Sequence, residues 1–190
     1  MAKENTTRYI LLGLLSHEDM SGYDMKKRLD LAISRFWNVG YGQIYPALAA
    51  LAGEGLAVKA ECPPGHGPER HVYSITEAGR QALAAWLEQP GEREYTRYEL
   101  LLKLFFSGRA PVEQNLARIR EFRDRHARDL GTIGLFEEEL LPILDDEPDH
   151  LYYYLSALFG EHVYKAYLAW ADEALRLLEE RRQKQGGLPQ

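Results

Sequence analysis

Apolar residues recur at helical spacing in seven stretches of the chain and alternate like strands in two. Ile10, Leu11, Leu14 and Leu15 mark a first helix, with Thr6 or Thr7 placed to cap it. His17 to Gly22 has the composition of a turn, and Ser21-Gly-Tyr-Asp24 then has capping-box spacing. The second helix so opened runs to about Ile33, buries Met25, Leu29 and Ile33, and turns Lys26 and Lys27 outward. A loop from Phe36 to Gly40 leads to a third helix, striped by Ile44, Leu48 and Leu51 and stopped by Gly53 and Gly55. Pro46 reads as a first-turn residue, where a missing N–H costs nothing, and so marks where this helix begins.

Leu56 to Cys62 and His71 to Ile75 alternate as two strands, joined by Pro-Pro-Gly-His-Gly-Pro-Glu-Arg, a hairpin tip that cannot be helical. Thr76 caps a fourth helix, Glu77 to Glu88, carrying Ala78, Leu83, Trp86 and Leu87. Three helices, a two-stranded hairpin and a closing helix make a winged helix-turn-helix. Gln89-Pro90-Gly91 breaks the chain, and three more helical patterns follow. One spans Tyr95 to Ser107, one runs from Pro111 to about Pro142 and the acidic stretch Asp145 to Asp149, and one from Leu151 to about Arg182. The expected fold is mostly α. Residues 1–90 form a DNA-binding winged helix-turn-helix, 91–185 an antiparallel helical dimerisation and effector domain, and 186–190 a disordered tail.

The last helix is apolar over more than one face. Leu155, Leu158, Leu168 and Leu175 form a stripe, and Tyr164 stands among aromatics spread around it. Such a helix needs cover on several sides, which a second copy of the chain supplies. These five residues are the expected homodimer interface. The arginines at 118, 120, 123, 125 and 128 alternate with acids, so that run reads as a solvated face.

Charge complicates a DNA-binding reading. The net charge of the 190 residues is −6, whereas nucleic-acid binding is usually announced by a basic excess. Residues 1–90 hold nine basic and ten acidic side chains, and the acidic excess lies in the second half. A DNA face must therefore come from local clustering, as at Lys26-Lys27-Arg28. One cysteine excludes an internal disulfide and suits a reducing cytoplasm, and no stretch reads as a membrane span or signal peptide.

The motifs Tyr9-Ile-Leu-Leu-Gly-Leu-Leu15, Ser21-Gly-Tyr-Asp24, Gly42-Gln-Ile-Tyr-Pro-Ala-Leu48, Glu54-Gly-Leu56 and Tyr73-Ser-Ile-Thr-Glu-Ala-Gly79 occur in order. Over residues 6–89 the chain thereby resembles the PadR family of bacterial transcriptional regulators. Its second half resembles the helical domain, named for virulence activators, of one PadR subgroup. The resemblance implies a repressor that binds an inverted-repeat operator in double-stranded DNA as a homodimer.

In that frame Gln43 pairs with a base edge, and Pro46 sets the start of the recognition helix. Tyr23, Tyr41 and Tyr45 touch phosphates or sugars alongside Lys26, Lys27 and Lys59, and His66 and Arg70 at the hairpin tip reach the backbone or minor groove. The resemblance also implies a small aromatic effector. Trp86, Tyr98, Phe106, Tyr154 and Trp170 are candidates to line its pocket, against the plainer reading that they are ordinary core.

Enzymatic function is not expected. No phosphate-binding glycine loop, G-x-S-x-G or H-E-x-x-H occurs. Cys62, His66 and His71 lack a recognised zinc spacing, so neither a metal nor another cofactor is expected. The rival function is a dimeric winged-helix adaptor that binds protein, which the acidic net charge favours.

Overall fold

A computed structural model describes residues 6–33, 36–61, 71–94 and 96–186. The chain divides into two compact units, Met1–Arg93 and Glu94–Gln190.

In the first unit, helix α1 (Thr6–His17) is followed by strand β1 (Met20–Ser21), α2 (Gly22–Ala32), α3 (Tyr41–Gly53), β2 (Ala57–Glu61), β3 (His71–Ile75) and α4 (Glu77–Leu87). Leu11, Leu12, Leu15, Met25, Leu29, Ile44, Leu48 and Leu51 meet in one core, sealed by Tyr73 of β3. The sheet has three strands in the order β1-β3-β2, not the two expected. Met20 pairs with Tyr73 and Ser21 with Val72. Two residues are too few to show alternation, so β1 reads as turn until β3 lies beside it.

Caps set the helix ends. The Ser21 hydroxyl accepts from the Asp24 amide at 3.2 Å and donates to the Asp24 carboxylate at 2.6 Å, so the reciprocal bond runs through the hydroxyl. Thr6 and Thr7 lie inside α1, and Thr7 is buried, so neither is the cap expected of it. Helix α3 closes with the Leu56 amide bonded to the Leu51 carbonyl (2.9 Å) and the Gly55 amide to that of Ala52 (3.2 Å). This Schellman closure needs a left-handed residue, which Gly55 supplies at φ +74°.

In the second unit, α5 (Glu99–Phe105), α6 (Val112–Leu140) and α7 (Pro148–Gly186) carry most of the chain, with short 3₁₀ turns at Ser107–Arg109 and Leu141–Ile143. Helix α5 is shorter than its expected Tyr95 to Ser107. The Ser107 hydroxyl donates to the Lys103 carbonyl (2.7 Å), ending the α-helical run in the first of those turns. Pro111 is the N-cap of α6, and Pro148 opens α7, three residues before the expected Leu151. Gly186, assigned to a tail by its sequence, is the last helical residue; residues 187–190 lie outside the described ones.

Helices α6 and α7 run antiparallel, with Phe122 against Trp170 (5.5 Å between ring centroids) and His126 against Tyr164 (5.3 Å). Ile119, Phe122 and Ala171 are the buried centre, and Leu100 and Leu104 of α5 pack on it. Arg120–Glu179 (2.7 Å) and Arg123–Asp172 (2.5 Å) bridge the two helices outside. The Tyr98 and Tyr167 hydroxyls share a hydrogen bond of 2.5 Å. Burial, then this bond, pushes the Tyr167 phenol up to about 12. Among the described residues no helix is long and apolar enough to cross a membrane.

His126 sits among Phe122, Tyr164 and Tyr167, and burial holds its imidazole below the ordinary value despite the Asp129 carboxylate 3.2 Å away. The unfolded chain takes up that proton near pH 6.5, the folded unit only at lower pH. Stability from this group is whole above about pH 6.5 and is lost as pH falls through the folded value. The thermal midpoint of the second unit should therefore drop on acidification from about pH 7 to 5. His126→Phe, which keeps a ring in the aromatic seat, should flatten part of that drop in calorimetry. Identical pH profiles for the two proteins would refute this.

Candidate nucleic-acid interface

Helix α3 buries Ile44, Ala47, Leu48 and Leu51 and leaves Tyr41, Gly42, Gln43, Tyr45 and Pro46 in solvent. Its exposed first turn thus offers polar and aromatic groups over a rigid apolar base. Tyr41 (45% exposed) and Tyr45 (50%) stack with centroids 6.2 Å apart, and Tyr23 at the start of α2 is 50% exposed. Gly22 permits the close approach of α2 and α3: a Cβ there would lie 2.8 Å from Cε1 of Tyr45. Behind these rings the Tyr73 phenol is raised by burial, then by neighbouring Tyr45. A phenol hydroxyl facing outward can both donate and accept a hydrogen bond.

Two features of α3 differ from the expectation. The helix begins at Tyr41, so Pro46 is its sixth residue and not a first-turn one. The early start follows from Gln43, whose Oε1 accepts the Gly40 amide proton at 3.1 Å, while the Gly40 carbonyl takes the first helical bonds from Gln43 (2.9 Å) and Ile44 (3.2 Å). A proline inside a helix costs about 3 kcal/mol in an ordinary setting, through its lost donor and its ring. Gln43, expected from the sequence to pair with a base, caps its own helix through Oε1, and its NH₂ remains for a partner.

The lysine cluster is largely self-neutralised. Lys26 pairs with Asp30 and Arg28 with Glu18. Lys26 is half-buried and not turned outward as expected, whereas Arg28 and Glu18 are exposed; exposed pairs are worth little, so a phosphate can compete for Arg28. Lys27 on α2 and Lys59 on β2 are exposed and make no ion pair with another described residue. His66 and Arg70 lie outside the described residues, as does Cys62. Sequence reasoning passed over Phe36 (59% exposed) and Trp37 (42%), which precede α3. Hydrophobicity alone assigns such rings to a core, and no periodicity in a loop says otherwise.

The candidate effector residues are divided between the two units. Trp86 stacks on Tyr9 in the first unit (4.9 Å, interplanar angle 5°). In the second unit Tyr98 and Trp170 share the cluster around Phe122 and Tyr167, and Tyr154 is half-buried. Phe106 instead lines an open cleft of about 330 Å³ with Leu102, Lys103, Ser107, Ala110 and Arg118. Of the candidate dimer residues, Leu155 is exposed, Leu158, Tyr164 and Leu168 are half-buried, and Leu175 packs on the unit's own core. Among the described residues no group of His, Cys, Asp and Glu could hold a metal ion.

Residues 11–85 match the transcriptional regulator PadR-like family, and residues 96–179 match the virulence activator alpha C-terminal family. The chain is 26% identical over 178 residues to the negative transcriptional regulator PadR of Bacillus subtilis, covering 90% of this chain and 97% of that protein. The Bacillus subtilis protein in complex with operator DNA superposes with a TM-score of 0.79 at 25% identity, over 90% of this chain and 96% of that one. In complex with p-coumaric acid it superposes at 0.72 and 23% identity, over 94% and 99%. The Vibrio cholerae virulence activator AphA superposes at 0.71 and 28% identity, over 92% and 99%.

Proposed function

Because the chain belongs to the PadR-like family of DNA-binding transcriptional regulators, with a virulence-activator-type helical domain after it, we propose that it is a repressor that binds an inverted-repeat operator as a homodimer. The exposed first turn of α3, standing on a fully buried stripe, is the observation that carries this reading. A helix with its N-terminal residues free and its opposite face locked can enter a major groove and read base edges. Gln43 and the tyrosines Tyr23, Tyr41 and Tyr45 are its contacts, with Lys27 and Lys59 on phosphates. Lys26 joins them once Asp30 releases it.

One such module covers only about 600–1,000 Å², too little for tight specific binding, so two copies on a twofold axis are needed. The exposed apolar side chains of α7 support pairing through the second unit. A small aromatic effector fits the complex of the Bacillus subtilis relative with p-coumaric acid.

The test is binding to the chain's own upstream DNA as a labelled duplex. Affinity should fall steeply with salt, because each phosphate contact releases counterions. Lys27→Ala should weaken all sequences alike and lower the salt slope by about 1. Upstream DNA bound no better than random DNA at low salt would leave the protein-binding adaptor as the better reading.

A further inference from the structure

An α-helix engages each carbonyl with the N–H four residues later, so its backbone is ordinarily silent toward bases. Helix α3 departs from this at one point. Pro46 stands four residues after Gly42 and has no N–H, so the Gly42 carbonyl lacks its intrahelical donor. The helix nevertheless runs on through Pro46 to Gly53.

Gly42 and Pro46 lie on one exposed row, one residue along from the stacked pair Tyr41 and Tyr45. Gly42 and Pro46 are both exposed, and a Cβ built on Gly42 would meet nothing within 4 Å, so no other described segment crowds this residue. Solvent-side carbonyls tilt outward from a helix, a proline ring pushes the carbonyl four residues before it the same way, and one without a donor has a lone pair to offer. It is thus a free acceptor in the first turn of the helix that would enter the groove.

We propose that the Gly42 carbonyl reads one base of each half-site by accepting a hydrogen bond from an exocyclic amine, cytosine N4 or adenine N6. These amines are the only donors in the major groove, and guanine and thymine present acceptors there. The carbonyl therefore favours cytosine or adenine in the strand it touches and repels the other two bases. Pro46 is a positioning residue: it touches no base in this scheme and acts by leaving Gly42 unpaired. The contact rests on the DNA-reading role proposed for α3.

The test pairs a protein change with a base change. Pro46→Ala restores an N–H that captures the Gly42 carbonyl and, being more favourable in a helix, should hold or raise the thermal midpoint. Duplexes selected by the wild-type protein from a random pool are then remade with purine for each adenine, or 2-pyrimidinone for each cytosine, deleting one amine at a time. For the wild type, one deletion per half-site should cost about 2- to 10-fold in affinity, and the analogue responsible identifies the base. In Pro46→Ala that deletion should cost nothing, while the other deletions act as before. Equal sensitivity of both proteins at every position overturns the contact and leaves the regulator reading intact. No sequence selected by the wild type at all overturns both.

Discussion

Gly79→Ala should unfold the first unit under conditions in which the wild type is stable. A Cβ at Gly79 would stand 2.1 Å from the Leu56 carbonyl oxygen, 3.1 Å from its carbon and 2.8 Å from Cγ1 of Ile75. The side chain of Ile75 can move, but the Leu56 carbonyl cannot. It accepts the Thr76 amide (3.1 Å), while the Thr76 hydroxyl donates to the Gly55 carbonyl (2.8 Å) and accepts the Gly79 amide (3.0 Å). One added methyl therefore pries apart the end of α3, the start of β2 and the cap of α4. Overpacking costs about 1–3 kcal/mol where side chains can yield, and this obstacle is backbone, so the top of that range or beyond is expected. For a unit of this size that is a fall in thermal midpoint on the order of 15 °C. Gly13→Ala is the control: nothing lies within 4 Å of its Cβ, so helix propensity alone should stabilise α1 by about 0.5–1 kcal/mol. Equal melting of wild type and Gly79→Ala would sink the argument.

Leu155→Glu combined with Phe159→Glu should turn the proposed homodimer into monomers and lower operator affinity on the order of 100-fold, through loss of the second half-site. The two residues stand one helical turn apart on α7 and are 48% and 69% exposed, with Leu151 and Tyr152 exposed beside them. Neither is among the buried residues of the second unit, which include Leu116, Ile119, Phe122, Ile133, Ala157 and Ala171. Helical circular dichroism should thus persist while sedimentation reports half the mass. A double variant that stays dimeric and keeps its affinity would show that this face is not the one that pairs.

Much of the first unit was legible because its signals are local. The stripe of Ile44, Leu48 and Leu51 and the Ser21–Asp24 cap depend on residues three or four apart. Strand β1 was not legible, since only its pairing with Tyr73 and Val72 makes it a strand. The place of Pro46 was misread because proline is a strong sign of a first turn. The Gln43 amide outweighs it by capping Gly40 and starting the helix earlier. Nor did the Lys26-Lys27-Arg28 run show which charges are engaged: Arg28 is neutralised by Glu18, ten positions away on the far side of a turn.

The chain's local pattern by itself determined the order of helices, the buried stripe of α3 and the polar and aromatic first turn opposite it. These follow from periodicity and capping, which act within one helical turn. Only the tertiary structure decided that Gly79 bears on the Leu56 carbonyl, that Gly22 seats Tyr45, that Trp86 stacks on Tyr9 and that Trp170 meets Phe122. Those contacts join residues 23 or more positions apart, and close packing between segments sets them, to which a one-dimensional pattern of hydrophobicity is blind.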